Sequence, residues 1–152
     1  MHDLSFNEKS AWGTLIALLV LGALYFSSVI NLWRADSLNL PAVFGLGVGF
    51  TILLTATLIA YHVLVAILAR PEDDDERDRV IGWRAGNIGG LVLGISVMTV
   101  ILHIVIGGVI GRGLMYEFSS SPALISVALI AALWLSTVVE LALTARFYRR
   151  GV

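Results

Sequence analysis

Four long apolar stretches, nearly free of charge, constrain the fold of this chain more than any other feature. They cover residues 11–33, 42–69, 85–111 and 122–145. A helix rises about 1.5 Å per residue, so each stretch can cross a hydrocarbon core of about 30 Å, which needs roughly 20 apolar residues. We therefore predict an all-α integral membrane protein, a bundle of four transmembrane helices. Residues 1–152 would form one transmembrane domain, with 70–84 as a charged loop.

The composition agrees with a membrane protein and excludes several kinds of chemistry. Hydrophobic residues make up 58% of the chain, the mean hydropathy is +0.90, and the net charge is −1. The chain has no cysteine, which excludes disulfides, thiolate metal sites and thiol catalysis. We find no nucleophile motif, phosphate loop or basic tract typical of nucleic-acid binding. We therefore expect no enzymatic activity, no cofactor, no metal site and no nucleic-acid partner.

The orientation can be predicted from the basic residues, which concentrate in cytoplasmic segments. Of the 10 Lys and Arg residues, only Arg34 and Arg112 fall on one side of four spans. The others fall on the opposite side: Lys9, Arg70, Arg77, Arg79, Arg84, Arg146, Arg149 and Arg150. We predict that both termini and the middle loop are cytoplasmic (N-in, C-in). The first apolar stretch is too long for a signal peptide and lacks a cleavage site, so we expect it to be retained.

The middle loop is the most charged segment. Pro71 is expected to end the second helix, and Asp73 or Asp74 to cap the third, which would then begin in water. This segment is also a candidate docking loop for a partner, although a simple solvated helix start would look the same. Its candidate docking residues are Asp73, Asp74, Asp75, Glu76, Arg77, Asp78 and Arg79.

Glycines recur at four-residue spacing within the apolar stretches. The third stretch and its lead-in carry Gly82, Gly86, Gly90 and Gly94, and the second carries Gly45 and Gly49. Helices in lipid associate through close packing of small residues, so these positions are predicted packing sites, a glycine zipper. Two interpretations stay open. The third helix lies at the centre of the bundle, or its glycines form the seam of a homodimer.

Three ionisable side chains inside the spans are candidates for an intramembrane polar site, because burying them in lipid is expensive. His62 and Glu140 lie at similar depths from the cytoplasmic edge and could pair, as a proton-responsive site or as a structural clamp. His103 is expected near the outer leaflet, bonded to a serine, threonine or backbone group. The two histidines would lie about 16 Å apart along the membrane normal, which argues against a shared haem.

Two short motifs resemble those of a known group of proteins. They are Asn7-Glu-Lys-Ser-Ala-Trp12 near the N-terminus and Asp75-Glu-Arg-Asp-Arg-Val-Ile81 at the start of the third helix. The chain resembles small, uncharacterised bacterial predicted membrane proteins with four helices and a D-E-R-D/E-x-x-I motif. The resemblance implies a multi-pass protein of the bacterial inner membrane without an assigned activity, and it supplies no catalytic residues.

These observations favour one function and leave two others open. The favoured function is a non-enzymatic membrane component that associates with itself, or serves as an accessory or regulatory part of a membrane complex. Its surroundings would be the lipid bilayer, and its partner a second copy or another membrane protein. The alternatives are a small proton-coupled transporter or channel that uses Glu140 and His62, and a redox or quinone-binding subunit.

Overall fold

The computed structural model describes residues 6–68 and 75–150, and this part of the chain is helical almost throughout. The helices are α1 (Phe6–Arg34), α2 (Leu40–Leu68), α3 (Glu76–Ile110), α4 (Leu114–Ser120) and α5 (Pro122–Arg150). All except α4 are long and apolar enough to cross a membrane. The predicted all-α class with four helices of spanning length is confirmed. The short helix α4, in the connection between α3 and α5, was not predicted.

Side-chain caps and prolines set where α2 and α5 begin. The Asn39 side chain accepts a hydrogen bond from the backbone N–H of Ala42 at 2.9 Å, and Pro41 occupies the first turn of α2. The Ser121 hydroxyl accepts one from the N–H of Leu124 at 3.3 Å, just before Pro122 opens α5. Proline suits a first turn because its missing N–H would have had no partner there.

The start of α3 differs slightly from the prediction. Asp75 is the N-cap, so the helix begins after it; Asp73 and Asp74, the predicted caps, lie outside the described residues. The Asp75 carboxylate accepts from the N–H of Asp78 at 2.7 Å, and the Asp78 carboxylate accepts from the N–H of Asp75 at 3.3 Å. This reciprocal capping box satisfies two backbone donors of the first turn.

The middle of the bundle is α5 rather than α3. Both α1 and α3 pack along α5, α2 packs on α1 and touches α5 only sparingly, and α4 lies against the end of α3. The face of α3 that meets α5 carries Ile81, Ala85 and Gly89, and the first two are fully buried. The residues of α3 that pack against α5 are therefore 81, 85 and 89, and each comes one residue before a member of the glycine series at 82, 86 and 90.

Close contacts between the helices form at glycines outside that series. A Cβ added to Gly13 would overlap the ring of Tyr61 on α2, and one on Gly22 would overlap the indole of Trp134 on α5. A Cβ on Gly107 would overlap the backbone carbonyl of Met115 on α4. Small residues thus let neighbouring helices approach closely, as expected for helices in lipid, but at different positions from those predicted.

Candidate functional site

His62 belongs to the contact between α1 and α2. Its Nδ1 lies 2.8 Å from the carbonyl oxygen of Leu58, and its Nε2 lies 2.9 Å from the hydroxyl of Ser10. A carbonyl can only accept, so in the neutral imidazole Nδ1 is the donor and Nε2 accepts from the serine. The neighbouring Tyr61 hydroxyl donates to the carbonyl of Lys9 at 2.6 Å. Together these bonds fix the beginning of α1 to the end of α2.

Glu140 belongs to a different contact, between α3 and α5. Its side chain lies in a notch made by two glycines: a Cβ on Gly89 would lie 3.0 Å from the Cβ of Glu140, and one on Gly86 would lie 3.7 Å from Oε1. The buried Ser136 hydroxyl, one turn earlier on α5, donates to the carbonyl of Gly89 at 2.8 Å. Among the described residues, no donor hydrogen-bonds the half-buried carboxylate of Glu140.

The predicted pair of His62 and Glu140 is therefore not formed. Both nitrogens of His62 are engaged by α1 and by its own helix, while Glu140 lies against α3. Counting residues along each apolar stretch predicts the depth of His62 and Glu140, but it does not predict the direction in which each helix presents its side chain. The polar partner of His62 is Ser10, which lies just before the first apolar stretch.

His103 is bonded as predicted, to a backbone group. Its Nδ1 lies 2.8 Å from the carbonyl oxygen of Thr99, one turn earlier on α3. Its ring meets Phe118 of α4 edge-on, with 6.0 Å between ring centroids. Among the described residues, no group of three or more His, Asp or Glu side chains is placed to hold a metal ion.

Three chain segments meet in a polar cluster that we call the clasp, formed by Asn7, Glu8, Arg77, Asp78, Tyr148 and Arg149. The Asp78 carboxylate accepts from the Asn7 amide at 3.1 Å and from the Tyr148 hydroxyl at 2.7 Å. Arg77 donates to the backbone carbonyl of Tyr148 at 3.2 Å. The clasp therefore joins the start of α1, the start of α3 and the end of α5 at one end of the bundle.

Arg149 extends the clasp along α1. Its guanidinium lies 3.8 Å from the buried carboxylate of Glu8, and its central carbon lies 4.8 Å from the centre of the Trp12 ring. The second contact has the geometry of a cation–π interaction. Asn7, Glu8 and Trp12 all come from the N-terminal motif, and Asp78 from the motif that opens α3. The two motifs are thus far apart in sequence but joined in the structure.

Three of the seven candidate docking residues have a place in this arrangement, and two others, Asp73 and Asp74, lie outside the described residues. Asp75 caps α3, and Arg77 and Asp78 are engaged within the clasp. Glu76 and Arg79 are exposed, and their role as docking residues stays a prediction. Sequence reasoning missed the contribution of Asn7, Tyr148 and Arg149, although the polar residues at both ends of the apolar stretches were a signal for it.

The predicted glycine series lies mostly on an open surface. A Cβ added to Gly82, Gly90 or Gly94 would meet no atom within 4 Å, and the same holds for Gly45 and Gly49 on α2. Only Gly86 faces a side chain, that of Glu140 at the edge of the α3–α5 contact. The interpretation of this series as packing inside one chain is therefore not what the structure shows. We call the exposed side of α3 with Gly82, Gly90 and Gly94 the glycine face.

The fold defines the class of protein: an all-α chain with four helices of membrane-spanning length, tied at one end by a polar clasp. No protein-family model, curated protein or solved structure matches this chain.

Proposed function

We propose that this chain is a multi-pass protein of the bacterial inner membrane, with both termini and the middle loop in the cytoplasm. Its four long helices have the length and hydropathy that a bilayer requires. The clasp supports one part of this topology, because it holds the start of α1, the start of α3 and the end of α5 together. Since most basic residues fall on that side, the positive-inside rule assigns it to the cytoplasm.

This orientation predicts which side of the membrane each loop can be labelled from. A cysteine replacing the exposed Glu76 should be protected from a membrane-impermeant thiol reagent in intact cells and should react after permeabilisation. A cysteine replacing the exposed Glu117 of α4 should react in intact cells. The chain has no native cysteine, so no background labelling is expected. The reverse pattern would overturn the orientation.

Within the membrane, we propose that the protein associates with itself through the glycine face of α3. The observation that carries this proposal is the open space over Gly82, Gly90 and Gly94. Lipid gives helices no hydrophobic reason to associate, so contacts between them depend on small residues that admit a second backbone. The side of α3 that packs against α5 carries other residues, so these three glycines stay open on the glycine face. A second helix could pack closely against them.

Asn87 makes a second copy a better partner than an apolar helix. It is exposed on the same side of α3, between Gly82 and Gly90, and its side chain has no hydrogen bond within the described chain. An amide both donates and accepts, so in a two-fold symmetric pair each Asn87 can satisfy the other. A purely apolar partner helix would leave the amide without any hydrogen bond.

Self-association predicts that Gly90→Leu separates the copies without unfolding the chain. The leucine would keep the second backbone away, while within the single chain its Cβ would meet nothing within 4 Å. We expect the mass in mild detergent to fall from that of a dimer to that of a monomer, and Asn87→Leu to weaken the dimer. The matched control is Gly45→Leu, an open glycine on α2, which should leave the mass unchanged.

Two outcomes would contradict self-association through α3. One is a wild-type protein that is monomeric in both mild detergent and lipid nanodiscs. The other is a folded Gly90→Leu variant with the same mass as the wild type. Helical content measured by circular dichroism distinguishes a folded monomer from an unfolded chain.

The transport and redox alternatives gain no comparable support. Proton-coupled transport by a joint site would need His62 and Glu140 in one place, and they belong to the α1–α2 and α3–α5 contacts respectively. For a haem shared by the two histidines, His62 and His103 would have to face each other, and they belong to separate contacts, His62 with Ser10 of α1 and His103 with Phe118 of α4. We therefore do not extend the proposal to either activity.

A further inference from the structure

A lateral cleft opens between α2 and α5 in the half of the bundle away from the clasp. It has a volume of about 630 Å³, and α1 forms its floor through Leu18. That volume lies in the range of about 300–1,000 Å³ that is typical of ligand sites. Its walls are mainly bulky and apolar, and they include Val43, Phe50, Ile130, Leu133 and Trp134.

The polar groups in the walls are already used within the chain. The indole N–H of Trp134 donates to the carbonyl of Leu18 at 3.0 Å. The hydroxyls of Thr51, Ser126 and Thr137 donate to carbonyls one turn earlier in their own helices, at 2.9, 2.8 and 3.0 Å. The described side chains that line the cleft therefore offer an occupant apolar surface and no free hydrogen-bond donor. A headgroup or a quinone ring would find no side-chain donor among them, whereas a hydrocarbon chain needs none.

We infer that this cleft binds the hydrocarbon tail of a membrane lipid. The inference rests on the membrane insertion proposed above, which places the opening between α2 and α5 in the bilayer. It does not depend on self-association, because the glycine face lies on α3.

The shape of the walls favours a flexible tail over a second helix. Helix contacts in lipid are enriched in small residues, and the open glycines of α3 lie on the glycine face. In the cleft the smaller residues Gly47, Thr51, Ser126 and Thr137 stand between large branched and aromatic side chains. A tail with many rotatable bonds can follow such a wall, whereas a rigid helix would be held away by it.

Two glycines on α2 allow a matched test of the cleft. A Cβ added to Gly47 would lie 3.9 Å from the Cδ1 of Ile130, an ordinary contact, so the rest of a leucine side chain would extend into the cleft. Gly49 is on the same helix but has open space around it and lies outside the cleft. Gly47→Leu and Gly49→Leu therefore make the same chemical change, and only the first fills the site.

The experiment is photolabelling of the full chain in phosphatidylethanolamine vesicles that contain a phosphatidylglycerol with a diazirine in the middle of one acyl chain. In the wild type, labelled peptides should concentrate on residues 43–54 and 130–137. This enrichment should be lost in Gly47→Leu and kept in Gly49→Leu. Because the wild-type labelling map is read without any variant, a failure of Gly47→Leu to fold would not remove the test.

Several results would overturn the inference. Labelling spread evenly over the exposed faces of all four long helices would mean ordinary contact with lipid and no bound tail. Equal labelling of the two leucine variants would place the bound tail elsewhere. Crosslinks between two copies of the chain, formed from a photoreactive residue placed at Phe44 in the cleft, would show a helix as its occupant. No labelling at all would instead refute membrane insertion, and with it the lipid site.

Discussion

Replacing Asp78 by Ala is expected to lower the free energy of unfolding by about 3 kcal/mol. The carboxylate of Asp78 accepts from the Asn7 amide, from the Tyr148 hydroxyl and from the backbone N–H of Asp75. Hydrogen bonds to a charged acceptor are worth about 1.5–3 kcal/mol each when buried, and partial exposure of Asp78 reduces their sum. The loss should be measured as a shift in the unfolding transition in detergent.

Glu76→Ala is the matched control for the clasp. Glu76 is an acid in the same first turn of α3, so its interaction with the helix dipole is similar, but it is exposed and outside the clasp. Its replacement should change the free energy of unfolding by no more than about 0.5 kcal/mol. Tyr148→Phe removes one hydrogen bond from Asp78. Its loss in the free energy of unfolding should lie between the losses of Asp78→Ala and Glu76→Ala. Equal effects of Asp78→Ala and Glu76→Ala would mean that the clasp does not hold the three helices together.

The helices could be predicted because their causes are local. The length of each apolar stretch determines whether it can span a membrane, and Pro41, Ser121 and Pro122 mark helix starts through groups that are neighbours in sequence. The cap of α3 was placed within two residues for the same reason. A run of acids before a helix offers several caps, and only the local backbone selects Asp75.

The packing faces could not be predicted because the four long helices are apolar on all sides. In water, the buried face of a helix is apolar and the exposed face polar, so a sequence reveals which side packs. In these helices both faces are apolar. Ile81, Ala85 and Gly89 meet α5, whereas Gly90 is open, and nothing in the four-residue spacing distinguishes the two series. The same ambiguity explains why matched depth did not make His62 and Glu140 partners.

The clasp escaped prediction for another reason. Asn7 and Asp78 lie 71 residues apart, and they meet only because α1 and α3 run in the same direction beside α5. The two motifs were visible in the sequence as separate features. Their joint role follows from the topology, which brings the start of α1, the start of α3 and the end of α5 together.

Replacing Gly89 by Leu is expected to lower the free energy of unfolding of the single chain by about 3 kcal/mol. A Cβ at this position would lie 3.0 Å from the Cβ of Glu140 and 3.4 Å from the carbonyl oxygen of Ser136, so α3 and α5 would have to separate. Forcing extra atoms into a packed contact costs about 1–3 kcal/mol. The separation would also break the bond of 2.8 Å from the Ser136 hydroxyl to the carbonyl of Gly89, worth about 1 kcal/mol.

A variant at Gly90, the next residue on α3, distinguishes an effect on folding of the single chain from an effect on self-association. Gly90→Leu makes the same change one residue later on α3, where an added Cβ meets no atom within 4 Å. At a detergent concentration that keeps the wild type monomeric, Gly90→Leu should leave the free energy of unfolding within about 0.5 kcal/mol of the wild type. Under the same detergent conditions, Gly89→Leu should still lower the free energy of unfolding by about 3 kcal/mol. If the two variants were equally unstable as monomers, the α3 register against α5 would be misassigned. The glycine face would then be an internal contact, unavailable to a second copy.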